Sequence, residues 1–477
     1  MLTIPPAISD PNVPLLFPSE GNRERIDNWL TVALKHAHAR VRLGAVTSAA
    51  DIEARLAPLA SFDFDEKRQL ETLLPWVIDQ MEHGIVHVDH PRYFGLFNPA
   101  PTFPAQCADR IAASFNPQLA TAVTSPFPVA VEACVIRAIA NRAGLPAAAS
   151  GHFTSGGSEA NYTALICALT RANEAFALRG ARSFSGQPVF YVSQDAHLAW
   201  LKIAHQAGIG RAAVRLVATD GSGRMNPIAL DDEISRDIAC GLVPVMIAAT
   251  AGTTNAGMID PLSDCAEIAR RHLLWYHVDA AWGGAVIVSD QLRGVLAGLE
   301  AADSVTIDAH KWFATTMGCG MFLTAHPAIL SSAFQVVMTC LPSNLPDQDP
   351  YITTAQWSRR FKGLRLFLAL ATAGWRGYAK HVERSVELAG LIRDRLTSSG
   401  WTHANCSSLA VICVAPPKGA PDARSIARTV VESGAAWISA TDFEGNSVIR
   451  ACAVNSAATD EDVDILAGSL NKAIGRA

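Results

Sequence analysis

His277-Val278-Asp279-Ala280-Ala281-Trp282-Gly283-Gly284 and, downstream, Asp303-Ser304-Val305-Thr306-Ile307-Asp308-Ala309-His310-Lys311-Trp312 decide the fold of this chain. An acid ends one apolar, strand-like run. A lysine ends the next, after a segment read as helical. Opposite charges at the ends of successive buried strands put a site above a parallel sheet, where ligands of open α/β folds bind. Lys311 follows Asp279 by 32 positions, which is room for one helical crossover between neighbouring parallel strands.

Working outward, residues 189–192, 213–217, 243–249 and 275–278 are short apolar runs flanked by turn signals, and helical stretches such as 160–179 and 261–272 lie between them. This alternation predicts an α/β fold with a mainly parallel sheet covered on both faces. Upstream, a Pro-rich lead is followed by helix-like spacing over 24–42 and 66–82, the second broken or kinked at Pro75. Beyond Arg360 a helical region runs to about Ser398, and strands are predicted at 410–414 and 447–451. The chain therefore reads as an N-terminal helical segment (1–89), a large domain (90–365) and a small C-terminal α/β domain (366–477). Residues 342–349, rich in Pro, Asn and Asp, interrupt two structured regions, as functional loops do.

Composition narrows the function. Of 477 residues 49% are hydrophobic and 17% charged, and the net charge of −5 gives no reason to propose nucleic acid or an anionic membrane as partner. Ten cysteines are scattered without metal-ligand spacing, which reads as reduced thiols and no metal site. The start, Met1-Leu2-Thr3-Ile4-Pro5-Pro6, lacks the basic and apolar regions of a signal peptide, and no apolar run is long enough for a membrane span. A soluble, cytoplasmic protein is expected.

Several separate motifs, in order, resemble the group II pyridoxal-phosphate-dependent amino acid decarboxylases, which include the aromatic amino acid and glutamate decarboxylases. They are Thr154-Ser155-Gly156-Gly157-Ser158-Glu159-Ala160-Asn161, the run ending at His197, Gly252-Thr253-Thr254, and the two stretches quoted first. The resemblance extends from about His90 to the C-terminus. It implies the fold-type I architecture of pyridoxal phosphate enzymes, related to aspartate aminotransferase, with pyridoxal 5'-phosphate as cofactor. It also implies an L-amino acid substrate and a homodimer with shared active sites, the N-terminal segment packing on the partner subunit.

The residues suit that chemistry. The Lys311 amine is able to form a Schiff base with the cofactor aldehyde. A carboxylate at Asp279, beside the pyridine nitrogen, keeps the ring protonated and ready to accept electrons. Ala280 and Ala281 let the ring approach, and the resemblance places Ala281 beside it. Gly157 and Ser158 read as a phosphate cradle, because small residues at a helix start expose N–H groups to an anion.

Other roles come from the resemblance. His197 would stack on the cofactor ring, although Ala199 stands where the family often has a small hydroxyl residue. One of Thr253 and Thr254 would face the cofactor, with Thr253 taken as the candidate, and His310 would contact the phosphate. Tyr351 precedes Gln356-Trp357-Ser358-Arg359-Arg360-Phe361, which resembles the family's Arg-Arg signature. It would be the loop tyrosine that protonates Cα, usually in the neighbouring subunit's site. Arg450 would organise the site or bind a carboxylate, with a surface salt bridge as the plainer reading. Leu96 and Phe97 would form an apolar substrate wall and Asn98 a polar contact.

The implied reaction is decarboxylation of an L-amino acid to an amine and carbon dioxide. Leu96 and Phe97 favour an aromatic side chain, whereas Asn98 and Arg92-Tyr93-Phe94 keep an acidic one open. An aldehyde synthase, a transaminase and a lyase are the alternatives on the same scaffold. A non-catalytic homologue would be expected to lose Lys311 or Asp279, and both are present.

Overall fold

The structure, a computed structural model, describes residues 18–43, 52–336 and 349–475, so the Pro-rich lead and all but Asp349 of the predicted functional loop lie outside the described residues. Apolar runs of β-branched and aromatic residues form the core of a seven-stranded sheet: β1 Ser150–Thr154, β2 Pro188–Ser193, β3 Val214–Val217, β4 Val243–Thr250, β5 Trp275–Asp279, β6 Ser304–Asp308 and β7 Gly320–Thr324. Their spatial order is β1-β7-β6-β5-β4-β2-β3. Strands β6, β5, β4, β2 and β3 pair in parallel, and β7 runs antiparallel to β6 and β1 on either side. Every residue of β2, β5, β6 and β7 is buried, as expected when helices cover both faces. The fold is α/β with a mainly parallel sheet, as the alternation predicted.

Helices Gly157–Ala172, Ala199–Gln206, Pro227–Ala239 and Leu262–His272 make the first four crossovers. The fifth, between Asp279 and Lys311, departs from the expectation of a helical crossover. It consists of three short 3₁₀ turns, Gly283–Val288, Arg293–Leu296 and Leu299–Ala301. The first of these is buried throughout and combines a Gly-Gly start with Val286-Ile287-Val288, so it has neither an amphipathic face nor good α-helix formers.

A second sheet of β8 Thr402–His403, β9 Val411–Ala415, β10 Ser439–Phe443 and β11 Asn446–Cys452 is antiparallel in the order β10-β11-β9-β8. The span Gly363–Ser398 is helical on both sides of Gly374, whose φ of 63° breaks it, and packs on helices Phe103–Phe115, Pro126–Arg142 and Asp460–Ala473. At the N-terminus, helices Glu20–Leu43 and Leu70–His83 pack on each other. The second continues through Pro75, which removes one intrahelical bond without ending the helix. No helix among the described residues is long and apolar enough to cross a membrane.

Strand direction fixes the site. Because β7 is antiparallel to both neighbours, β1 runs the same way as β6. Thr154, Ser193, Thr250, Asp279 and Asp308 therefore all end strands at one edge of the sheet.

Candidate active site

A cavity of about 320 Å³ opens at that edge. Its wall comes from the segments following the strands: Gly157 and Ser158 after β1, His197 after β2, Thr254 after β4, Asp279 and Ala281 at the end of β5, and His310 and Lys311 after β6. Phe97 closes it from a segment that precedes the sheet.

Lys311 Nζ lies 3.2 Å from Asp308 Oδ2, and the Lys311 N–H donates to the Asp308 carbonyl. The Asp308 carboxylate is buried, and its Oδ1 has no partner among the described residues. His310 Nδ1 lies 3.0 Å from the Cys319 carbonyl, which leaves Nε2 turned toward Asp308 at 3.8 Å. Asp279 is held at both oxygens, Oδ1 accepting from the Ala281 N–H at 3.1 Å and Oδ2 from Asn161 Nδ2 at 2.7 Å.

The cradle between β1 and helix Gly157–Ala172 has room because it is built of glycine. A Cβ on Gly157 would fall 3.0 Å from Asp308 Oδ2 and 3.2 Å from Ala281 Cβ, and one on Gly156 would meet the His310 ring at 3.3 Å. Glu159 fixes the loop from below. It accepts the Ser155 N–H and hydroxyl at 2.7 and 2.6 Å, and Gln356 Nε2 donates to both of its oxygens at 2.6 and 2.7 Å. Lys362 Nζ in turn donates to Gln356 Oε1 at 3.3 Å.

Lys311, Asp279, Ala281, Gly157, Ser158, His197, His310 and Phe97 thus share one cavity. His197 Nδ1 accepts the Ala199 N–H at 3.1 Å, so the backbone supplies a local hydrogen bond that needs no hydroxyl at position 199.

Other predicted residues lie elsewhere. Thr253 is buried behind the wall, its N–H and Oγ1 both bonded to Met258, and Thr254 takes the place facing the cavity. Leu96 turns outward, 47% exposed, and Asn98 is half-buried off the wall. Arg450 is not a surface ion pair. It is buried behind Phe97, donates from Nη1 to Gly95 O at 2.7 Å and Ser439 Oγ at 3.3 Å, and lays its guanidinium 4.6 Å over the Phe97 ring. Tyr351 packs with Ala120, Ile352 and Trp357 and does not line the cavity of its own chain. Arg359 pairs with buried Glu132 at 2.5 Å and donates to Phe153 O, bracing β1.

Sequence reasoning missed Asn161, Glu159, Asp308 and Gln356. Two signals were available: Asn161 sits one helical turn after Gly157, and Asp308 one turn before Lys311.

An amine, a carboxylate held at both oxygens and a helix N-terminus on one cavity meet the three demands of pyridoxal phosphate: its aldehyde, its pyridine nitrogen and its phosphate. The family model described as "Pyridoxal-dependent decarboxylase conserved domain" matches residues 55–411. The chain belongs to this family. It is a pyridoxal-phosphate-dependent amino acid decarboxylase of fold-type I. Among its relatives, Tyrosine decarboxylase 2 of Narcissus pseudonarcissus is 27% identical over 418 residues, covering 83% of each chain. L-2,4-diaminobutyrate decarboxylase of Rhizobium meliloti is 38% identical over 243 residues, 51% of this chain and 47% of that one. Of solved structures, mouse CSAD in apo form superposes with a TM-score of 0.86 at 25% identity, over 93% of this chain and 98% of that one. Oryza sativa TDC with PLP and tryptamine shares the fold with a TM-score of 0.88 at 22% identity, over 96% and 99% of the two chains.

Proposed function

We propose that this decarboxylase acts on an aromatic L-amino acid as a homodimer. The observation that carries the substrate reading is the aromatic wall: the Phe97 ring packs 4.4 Å from that of Trp282, both line the cavity, and Lys311 Nζ lies 6.0 Å from the Phe97 centroid. The charged groups support it. Two of the three carboxylates on the described wall are held at both oxygens, Glu159 by Ser155 and Gln356 and Asp279 by Asn161 and Ala281, and the third, Asp308, faces Lys311. No arginine stands among the described wall residues to receive an acidic side chain.

When bound, pyridoxal phosphate supplies the aldehyde that captures the substrate amine and the ring that takes up the electrons of the breaking Cα–carboxylate bond. Lys311 would carry the cofactor, and Asp308 would hold its amine once the substrate displaces it. Asp279 would hold a proton at the ring nitrogen, and His197 would cover the ring face. Gly157, Ser158 and His310 would receive the phosphate. Arg450 would position Phe97 from behind.

Tyr351 would return the proton to Cα in the partner's cavity, since no tyrosine lines the described wall of its own. It lies beside Ala120, near an apolar groove of about 740 Å³ bordered by Phe115 (82% exposed) and Phe127 (65% exposed). A second copy covering that face would bring the two chains together. The described cysteines, all free thiols, fit a reducing cytoplasm.

The 38% identity to a diaminobutyrate decarboxylase supports a second reading. Carbon dioxide release, with amine and aldehyde products measured alongside, separates the readings on L-tyrosine, L-tryptophan, L-2,4-diaminobutyrate and L-glutamate, with Lys311→Ala as control. The aromatic reading expects the highest kcat/KM for tyrosine or tryptophan, with amine as product. Fastest turnover of diaminobutyrate or glutamate overturns it, and aldehyde as the product identifies a synthase.

A further inference from the structure

From Asp279 and Asn161 on the cavity wall, a chain of buried polar groups runs back through His277, Ser304 and Trp275, which do not line it. Trp275 Nε1 donates to Ser304 Oγ at 2.8 Å, and Ser304 Oγ lies 2.8 Å from His277 Nδ1. His277 Nε2 lies 3.1 Å from Asn161 Oδ1, and Asn161 Nδ2 donates to Asp279 Oδ2 at 2.7 Å. All five residues are buried. They come from β5, β6 and the helix that starts at the phosphate cradle, and Asn161 and Asp279 are 118 residues apart in sequence.

The carboxylate sets a direction. It only accepts, so the Asn161 amide N–H₂ faces Asp279 and its carbonyl faces His277 Nε2, which must donate. Nδ1 then accepts from the Ser304 hydroxyl, whose lone pairs receive the Trp275 N–H. The opposite direction would aim the amide oxygen at a carboxylate. Burial pushes the His277 imidazole down to about 4 against the raising effect of the Asp279 charge, so the ring is neutral at physiological pH and has one proton to place.

We propose that Asn161, His277 and Ser304 are positioning residues that hold Asp279 as an anion and thereby keep the cofactor's ring nitrogen protonated. A donor at 2.7 Å occupies Asp279 Oδ2 and orients the carboxylate as an acceptor for the pyridinium N–H. The inference rests on the reading that Asp279 faces that nitrogen.

The test is the ¹⁵N chemical shift of ring-labelled pyridoxal phosphate bound to the full-length protein, with the cofactor's Kd measured in parallel. Wild type is expected to give the pyridinium value. Asp279→Asn moves the shift to the neutral-pyridine value if Asp279 faces the ring, and an unchanged shift sinks that reading. Asn161→Ala is expected to move the shift in the same direction and to weaken cofactor binding by about ten-fold. His277→Phe, which keeps an aromatic ring but loses the N–H, should shift it less far. His277→Gln, which offers an amide N–H near the Nε2 position, should restore it. If Asp279→Asn moves the shift while Asn161→Ala and His277→Phe both match wild type, the relay is wrong and the Asp279 reading stands. If Asn161→Ala does not fold, the His277 pair decides: Phe and Gln giving the same shift overturns the proposal.

Discussion

Asp308 Oδ2 lies 3.2 Å from Lys311 Nζ, and the Asp308 side chain is almost wholly buried while its other oxygen has no partner among the described residues. Among the described residues the lysine is this carboxylate's one cationic contact within hydrogen-bonding distance. Removing it, as an activity control does, strands a charge.

Lys311→Ala should therefore destabilise the cofactor-free protein by about 2–4 kcal/mol, below the ~3–5 kcal/mol of a fully buried pair because the Lys311 side chain is partly exposed. Adding Asp308→Asn to Lys311→Ala should restore most of that loss, because the stranded charge is gone. Urea midpoints of the four proteins in a double-mutant cycle check this. No recovery in the double variant would mean that Asp308 is not sustained by the lysine.

Gly157→Ala should leave the fold intact and weaken cofactor binding by about ten-fold or more, since alanine suits a helix start but its Cβ intrudes on the cradle. Circular dichroism reports the first outcome and titration of cofactor absorbance the second. Unchanged binding would remove the phosphate from this loop.

Arg450→Met keeps an apolar stem against Phe97 and loses the bond to Gly95 O. Steady-state kinetics should show kcat/KM for the aromatic substrate falling about ten-fold, mostly through KM, as expected for a residue that places a binding surface. A loss confined to kcat would instead put Arg450 in contact with the reacting atoms.

Burial holds His277 down near 4 and His152 down near 3, both below their unfolded value of 6.5. The unfolded chain takes up protons that the folded chain refuses, so stability falls as pH drops from about 6.5 toward 4. Each buried imidazole contributes up to about 1.4 kcal/mol per pH unit across that window. Between pH 7 and pH 5, His277→Gln should shrink the loss measured by urea unfolding of the cofactor-free protein by about 2 kcal/mol. An unchanged pH dependence would show that His277 is protonated in the fold.

The sequence made β2 to β6 legible because each holds a short, mainly apolar run bounded by turns. Strand β1 was not, because Ser150-Gly151-His152-Phe153-Thr154 holds no such run; its Gly151 is where a Cβ would strike the Phe322 carbonyl of β7 at 1.9 Å. Lys311 and Asp279 stand out because a charge that ends an apolar run needs a reason. Thr253 and Thr254 are adjacent and alike, and only the turn bonding Thr253 to Met258 decides which one faces inward. Asn161 and Glu159 acquire their roles from partners 118 and 197 residues away, a relation that no local spacing encodes.

Helix Gly157–Ala172 offers its first N–H groups on one side of the cavity and, a turn later, the amide of Asn161 behind the carboxylate on the other. A rod of fixed rise acts as a gauge block: it sets the separation between the two grips without reference to any loop. Substitutions along that turn alter the strength of either grip. A single inserted residue there would swing Asn161 by about 100° and break both alignments at once, so this turn tolerates changes of residue far better than changes of length.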